Sequence, residues 1–288
     1  MDKNRTDTLI DGADNGTTSA SDAWDRIASG YDRFVTSSHL SVASEALRRA
    51  GLQPGMRFVD VAAGSGALSI PAARRGACVL ATDFSPVMLE RLAARAKDEK
   101  LDIETRVMDG QALALPDASV DVAGSQFGVM LFPDMPKGMS EMARVAKPGG
   151  RVLVNVLGAP TRVEFFTFFI KGIQAVRPDF AGPPMNPPLL PFQLQDPERL
   201  REELETVGLT DVEVDTVAET LEFASGQQLW DWLVCSNPIC EHVLGRLDLS
   251  EEEIQGIREA LERMVRDRAG AAPTATLTVP VHIGVGTK

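Results

Sequence analysis

Two carboxylates each follow a short apolar segment, and a glycine-rich turn lies between them. Asp60 comes just before the turn that contains Gly64 and Gly66, and Asp83 lies seventeen residues beyond Gly66. Small residues let a ligand approach the backbone of such a turn, and an acid at the second position can accept both hydroxyls of a ribose. The spacing predicts a nucleotide-like ligand at the carboxyl ends of two parallel strands.

Two kinds of ligand fit this arrangement. A dinucleotide places its pyrophosphate on the helix N-terminus, and its fingerprint has a third glycine where this chain has Ser69. S-adenosylmethionine has no phosphate and ends in an ammonium and a carboxylate. Asp60 suits an ammonium and would repel a pyrophosphate, so the residues favour S-adenosylmethionine.

Further strand patterns follow in order at residues 103–111, 120–127 and 151–157, the last after the turn of residues 147–150. With these five motifs, residues 24–157 resemble the class I S-adenosylmethionine-dependent methyltransferases. Within that family they are similar to the small-molecule methyltransferases of ubiquinone and menaquinone biosynthesis. Ala62 departs from the family, which usually has glycine there; its methyl group is tolerated if φ is negative.

The resemblance implies a set of cofactor-binding residues. Asp60 and the glycine turn would hold the methionine moiety, Asp83 the ribose, and residues 125–127 would lie under the sulfonium. Phe84 and Met88 would flank the adenine, Asp109 would bond its amino group, and Gly110 and Gln111 would contact the ring. Tyr31 with Asp32 matches a pair that covers the cofactor. The full set is Tyr31, Asp60, Ala62, Gly64, Gly66, Asp83, Phe84, Met88, Asp109, Gly110, Gln111, Ser125, Gln126 and Phe127.

Methyl transfer from a sulfonium is an in-line displacement, for which we predict no metal. A general base is needed only if the acceptor must lose a proton. Of the three histidines, His39 lies in the N-terminal segment that closes over the cofactor in the resembled family. We predict His39 as the candidate base, with a hydrogen-bonded structural histidine as the alternative. His282, which alternates with apolar residues, is predicted to be structural.

Composition limits the partners. The chain has 288 residues and a net charge of −12, which argues against a nucleic-acid substrate because phosphate contacts need a basic surface. Three cysteines are too few for a disulfide framework, and no apolar run is long enough to span a membrane. We predict a cytoplasmic protein with a small-molecule acceptor. The sequence leaves the oligomeric state open.

The pattern predicts an α/β fold: a doubly wound, mostly parallel seven-stranded sheet of the Rossmann-like methyltransferase type, with a last antiparallel strand and a mainly helical cap formed by insertions. The predicted divisions are a disordered tail (1–21), N-terminal lid helices (22–55), the cofactor-binding core (56–157), a cap insertion (158–195), further core (196–217), a second cap insertion (218–272) and a final core strand (273–288).

The two insertions are the predicted acceptor site. Large aromatic side chains commonly line small-molecule pockets, and Phe165, Phe168 and Trp230 are the candidates, with core packing as the alternative. The leading functional hypothesis is a small-molecule methyltransferase. A protein that binds S-adenosylmethionine without transferring its methyl group and a nicotinamide-dependent oxidoreductase remain open at this point.

Overall fold

The computed structural model describes residues 20–183, 187–236 and 238–288. The predicted disordered tail therefore lies outside the described residues, except for its last two positions, which begin the first helix instead. Within the described part, the strands are β1 Arg57–Val61, β2 Cys78–Asp83, β3 Ile103–Val107, β4 Val120–Gln126, β5 Ala146–Leu157, β6 Thr210–Phe223 and β7 Ala275–Thr287.

These strands form one sheet in the order β3-β2-β1-β4-β5-β7-β6. The first five run parallel, and β7 lies antiparallel between β5 and β6. The central strands β1 and β4 bury nearly all of their residues, as expected for parallel strands covered on both faces. The predicted seven-stranded sheet with an antiparallel last strand is confirmed.

Helices cover both faces of the sheet. Ser85 shows why one of them begins where it does: its hydroxyl accepts a hydrogen bond from the backbone N–H of Met88 at 3.0 Å, and Pro86 occupies the first helical position. The helices are α1 Ala20–Gly30, α2 Leu40–Arg49, α3 Ser69–Arg74, α4 Pro86–Asp98, α5 Met135–Val145, α6 Glu164–Gln174, α7 Pro197–Thr206, α8 Gly226–Ser236, α9 Pro238–Arg246 and α10 Glu251–Ala269.

The N-terminal lid, residues 20–49, comprises α1, a π-helical turn Tyr31–Val35, a 3-10 turn Thr36–His39 and α2. Side chains along it bond to the segments that follow β1 and β2. Asp25 accepts from the Ser85 hydroxyl at 2.5 Å, and Thr36 bonds to Ser65 in the glycine turn. Asp32 pairs with Arg95 of α4. The lid therefore lies across the carboxyl ends of β1 and β2.

Strand β6 is longer than predicted. The expected strand ended at Val217, but β6 continues to Phe223, because Glu219, Leu221 and Phe223 all lie on its buried face. The acid at 219 interrupts the apolar alternation that would otherwise have predicted this extension. The boundary expected at residue 218 between core and insertion therefore differs from the structure.

The extension gives the sheet an overhang. Leu157, the last residue of β5, pairs with Val281, whereas β7 continues in pairing with β6 as far as Ala275 opposite Phe223. Residues 217–223 and 275–281 thus form a two-stranded ribbon that projects beyond the carboxyl end of β5. Helices α6, α8 and α10 pack against one another beside it, so both insertions contribute to one helical cap.

Candidate functional site

Asp60 is completely buried at the carboxyl end of β1. Its Oδ2 accepts a hydrogen bond from the Ser69 hydroxyl at 2.6 Å, and its Oδ1 is buried with no partner among the described residues. Burial raises the pKa of Asp60 to about 7, against the effect of the Ser69 bond, and the negative charge of Asp83 raises it further. A buried acceptor of this kind suits a cationic donor such as an ammonium.

Asp83 joins the two turns of the site. Its Oδ2 accepts from the backbone N–H of Gly64 at 2.8 Å, and its Oδ1 accepts from that of Ser85 at 2.9 Å. Burial raises the pKa of Asp83 to about 6, although these N–H groups oppose the shift. Each carboxylate oxygen can accept a second hydrogen bond, so the residue retains capacity for ribose hydroxyls.

Ala62 does not meet the expectation of a negative φ. Its φ is 58°, in the left-handed region that glycine adopts more easily, which costs about 1–2 kcal/mol for a residue with a Cβ. Gly128 accommodates the methyl group, because a Cβ at Gly128 would lie 2.6 Å from that of Ala62. The glycine found here in the family is thus replaced at the expense of backbone strain.

Asp109, Gly110 and Gln111 lie together in the loop after β3. The backbone N–H of Gln111 donates to Asp109 Oδ1 at 2.8 Å, while Gln111 Oε1 accepts from the N–H of Asp134 at 2.9 Å. A Cβ at Gly110 would lie 2.9 Å from Val61 at the end of β1. The loop therefore approaches the same edge of the sheet as Asp60.

The two residues expected to flank the adenine differ in surroundings. Phe84 is 38% exposed, whereas Met88 is 1% exposed and packs against Ile27 and Ala28 of the lid. In this arrangement the Met88 side chain is covered by α1. Its role at the adenine stays a prediction, and it would require the lid to shift.

Tyr31 lies at the centre of the site. A Cβ at Gly64 would be 3.7 Å from Cε1 of Tyr31, which puts the ring over the glycine turn. The pKa of the Tyr31 phenol is raised by burial first and then by the carboxylates of Asp83, Glu219 and Asp60. The phenol therefore lies between the acids of the glycine turn and an acid of the β6 ribbon.

His39 and Glu219 form a buried pair. His39 Nδ1 lies 3.0 Å from Glu219 Oε2, and the two side chains are 7% and 2% exposed. Glu219 Oε1 is buried and unpartnered within the described part of the chain. Sequence reasoning missed Glu219; the available signal was an acid in a strand at a position where the alternation calls for an apolar residue.

The carboxyl end of β4 contacts this pair. Gln126 Nε2 donates to the His39 carbonyl at 3.3 Å, and Gln126 Oε1 accepts from Asn155 at 2.9 Å. The rings of Phe127 and His39 have centroids 4.8 Å apart. Ser125 lies just before, its hydroxyl accepting from the N–H of Val129 at 3.1 Å. The predicted base therefore lies beside the strand end predicted to underlie the sulfonium.

Aromatic rings continue from His39 into the cap. Trp232 of α8 lies 6.0 Å from the His39 ring, 6.0 Å from Phe223 and 4.7 Å from Phe165, centroid to centroid. Trp232 also lines a cavity of about 180 Å³, together with Phe34 and Leu221. Phe165 thus belongs to a ring cluster beside His39, whereas the half-buried Phe168 packs against the main core.

Trp230 does not belong to this cluster. Trp230 is 6% exposed and packs under Arg258 of α10, whose guanidinium carbon lies 5.2 Å from the centroid of the Trp230 ring. Two helical positions are separated by about 200° around the axis, so Trp230 and Trp232 face opposite sides of α8. Trp232, and not Trp230, therefore lies beside His39, and the acceptor role of Trp230 stays a prediction.

No group of three or more His, Cys, Asp or Glu side chains suited to a metal ion occurs in the described ranges. The helices within those ranges include none that is long and apolar enough to cross a membrane.

Comparison with known proteins identifies a methyltransferase domain over residues 59–154. An uncharacterised protein of Mycobacterium tuberculosis is 44% identical over 133 residues, which are 46% of this chain and 47% of that protein. The match thus spans about half the length of that relative. Demethylmenaquinone methyltransferase of Corynebacterium glutamicum is 32% identical over 164 residues, which are 55% of this chain and 68% of the enzyme.

Among solved structures, phosphoethanolamine N-methyltransferase 2 of Haemonchus contortus superimposes with a TM-score of 0.57 at 20% identity. The superposition covers 94% of this chain and 60% of that one, whose structure contains phosphomonomethylethanolamine and S-adenosylhomocysteine. At this identity the likeness concerns the fold.

Proposed function

We infer that this chain, which belongs to the class I S-adenosylmethionine-dependent methyltransferases, transfers a methyl group from S-adenosylmethionine to a small-molecule acceptor. The proposal is carried by the Oδ1 of Asp60, which is buried without a partner among residues 20–183, 187–236 and 238–288 and lies beside a glycine turn fixed by Asp83. That arrangement fits an ammonium and a ribose, and it is unfavourable for the pyrophosphate of a nicotinamide cofactor.

The residues have distinct roles in this proposal. Asp60 binds the ammonium, and Asp83 binds the ribose hydroxyls while holding the Gly64 N–H in place. Tyr31 covers the turn, and the loop of Asp109 to Gln111 contributes to the adenine site. When bound, S-adenosylmethionine supplies a methyl group that the positive sulfur has already activated. The protein then needs to orient the acceptor and exclude water, and positioning alone can contribute about 7–11 kcal/mol.

A small acceptor is supported by the size of the cavity beside the ring cluster. The cap helices and the lid leave a cavity of about 180 Å³ there. This volume admits only a small acceptor, since drug-sized ligands occupy pockets of about 300–1,000 Å³. The net charge of −12 opposes a nucleic-acid acceptor.

Calorimetric titration with S-adenosylmethionine, S-adenosylhomocysteine and NAD tests the cofactor. We expect binding of the first two and none of NAD. Asp60→Asn should weaken S-adenosylmethionine binding at least tenfold, because the amide removes the charge that pairs with the ammonium. Transfer of a tritiated methyl group to a metabolite extract tests catalysis. Binding without transfer would identify a cofactor-binding protein, and equal affinity in Asp60→Asn would reject the ammonium site.

A further inference from the structure

We propose that His39, held by Glu219, removes a proton from a hydroxyl group on an aromatic acceptor. This proposal rests on the proposed function and specifies its acceptor side. Glu219 is a positioning residue, which acts through His39.

The tautomer of His39 follows from its partner. An ionised carboxylate can only accept a hydrogen bond, so His39 Nδ1 carries the proton that bonds to Glu219 Oε2 at 3.0 Å. The lone pair is then on Nε2, the nitrogen required for proton abstraction. Glu219 would also stabilise the imidazolium that forms.

The pair is built from distant parts of the chain, which argues against an incidental surface contact. His39 ends the 3-10 turn of the lid, and Glu219 lies on the β6 ribbon, 180 residues away. Burying a carboxylate carries a desolvation cost. Glu219 is buried although one of its carboxylate oxygens has no partner in the described structure. It also occupies a strand position that an apolar residue would suit.

His282 provides an internal contrast. It is also buried, but Thr216 lies 2.8 Å from its Nδ1, and the carbonyl of Gln195 lies 2.9 Å from its Nε2. Both ring nitrogens are therefore engaged, as in a structural histidine. His39 has a carboxylate on one nitrogen and lies next to the predicted transfer site.

The neighbours of His39 determine what it can meet. β6 contributes Glu219, whose charge, like those of Asp60 and Asp83, also acts on the lid residue Tyr31. The residue after β4 and the helix α8 contribute the uncharged rings of Phe127 and Trp232, and Arg33 lines the adjoining cavity. These rings favour a flat acceptor, and the pKa of an aromatic hydroxyl, about 10 as in tyrosine, lies closer to that of imidazole than the pKa of an aliphatic hydroxyl does.

The step balances. The acceptor O–H bond breaks and its proton goes to His39 Nε2, while the electron pair stays on the acceptor. That pair forms the new bond to the methyl carbon as the carbon–sulfur bond breaks, and the electrons of the broken bond stay on sulfur as a neutral thioether. His39 then releases its proton to water.

The first test uses 4-nitrocatechol, whose absorbance distinguishes the phenol from the phenolate, bound to the protein with S-adenosylhomocysteine. At pH 6 we expect the ratio of phenolate to phenol in the bound probe to be at least tenfold that of the free probe. Glu219→Gln and His39→Gln should each remove this excess, with Glu219→Asp restoring part of it in the first case. Glu213→Gln, on an exposed position of the same strand, is the matched control and should leave it unchanged.

Calorimetry with S-adenosylhomocysteine separates the two proposals. If Glu219→Gln and His39→Gln both bind S-adenosylhomocysteine with an affinity within threefold of wild type, their cofactor sites are intact. A lost spectral change is then due to the acceptor side. Failure of S-adenosylhomocysteine to bind wild-type protein would instead overturn the proposed function. The acceptor proposal is rejected if 4-nitrocatechol does not bind, binds without excess phenolate, or keeps that excess in both variants.

Nitrogen NMR of the imidazole rings provides a test that does not require the Glu219 variant to fold. The chain has three histidines, so His242→Gln and His282→Gln assign the His39 signals. We expect a protonated Nδ1 and an unprotonated Nε2 in the complex with S-adenosylhomocysteine at pH 8. The opposite tautomer would contradict the proposal.

Discussion

The proposed cofactor side and the proposed acceptor side of this site are held together in different ways. On the cofactor side, the carboxylate of Asp83 binds backbone N–H groups of Gly64 and Ser85, which belong to turns that directly follow neighbouring strands. On the acceptor side, Glu219 and His39 meet through side chains alone, from segments 180 residues apart. The first arrangement is encoded by local motifs, whereas the second depends on the complete fold.

The largest expected effect comes from adding bulk to the cofactor turn. Gly64 has φ 53° and lies under Tyr31, so Gly64→Val combines backbone strain with a side chain in the space of the methionine moiety. We expect a loss of S-adenosylmethionine affinity of at least a hundredfold by calorimetry. Gly51→Val is the control, since Gly51 has φ 69° and nothing within 4 Å of an added Cβ. Similar losses in both variants would show that strain alone is responsible.

The next effect concerns the carboxylate that joins the turns. Asp83→Asn removes a charged acceptor whose hydrogen bonds contribute about 1.5–3 kcal/mol each. S-adenosylhomocysteine affinity should fall at least tenfold while 4-nitrocatechol, at saturating S-adenosylhomocysteine, still shows its excess phenolate. Asp121→Asn is the control, because Asp121 also accepts from a backbone N–H, that of Arg57, at the opposite edge of the sheet. Unchanged affinity in Asp83→Asn would remove Asp83 from the cofactor site.

The cofactor side should also respond to pH. The pKa values of Asp60 and Asp83 are about 7 and about 6 in the folded protein, above the usual range for aspartate. Affinity for S-adenosylmethionine should therefore rise with pH as they ionise, by up to about tenfold per pH unit below each pKa, and level off above pH 7. Asp60→Asn should flatten the upper part of this rise, and calorimetry from pH 5 to 8 measures it.

The same raised pKa values make the stability of the unliganded protein depend on pH. Between about pH 4 and 7 the folded state binds more protons at Asp60 and Asp83 than the unfolded chain does, so stability decreases as pH rises through this window. Without cofactor, the thermal unfolding midpoint should decrease from pH 5 to pH 8 by more in wild type than in Asp60→Asn. An equal pH dependence in wild type and variant would contradict the raised pKa of Asp60.

The smallest expected effect distinguishes the two faces of α8. Trp232→Leu should weaken 4-nitrocatechol binding about three- to tenfold with unchanged S-adenosylhomocysteine affinity, because Trp232 belongs to the ring cluster beside His39. Trp230→Leu should lower the unfolding midpoint and leave both affinities unchanged. The reverse result would place the acceptor on the α10 side of the cap.

The sequence predicted the strand, the acid and the turn within residues 57–66 because their determinants are short-range, and the fold around them is confirmed. The cofactor-binding roles of these residues stay predictions. Ala62 shows the limit of such reasoning, since its positive φ depends on the space left by Gly128. On the acceptor side, neither the position of Trp232 beside His39 nor the partner of His39 was predictable. Both depend on which face of an element meets the cap, and the acid at 219 concealed the true end of β6.

The order of the strands has a consequence for synthesis. β6 is an edge strand that pairs, within the described part of the chain, only with β7, and β7 follows it after helices α8, α9 and α10. As the polypeptide emerges from the ribosome, β1 to β4 can pair first, whereas β6 has no strand to join until β7 has been made. Long-range pairing of this kind is slow because loop closure precedes any gain from the contacts. Glu219 therefore reaches His39 late in folding, so a nascent chain can acquire its cofactor turns before it has a complete acceptor wall.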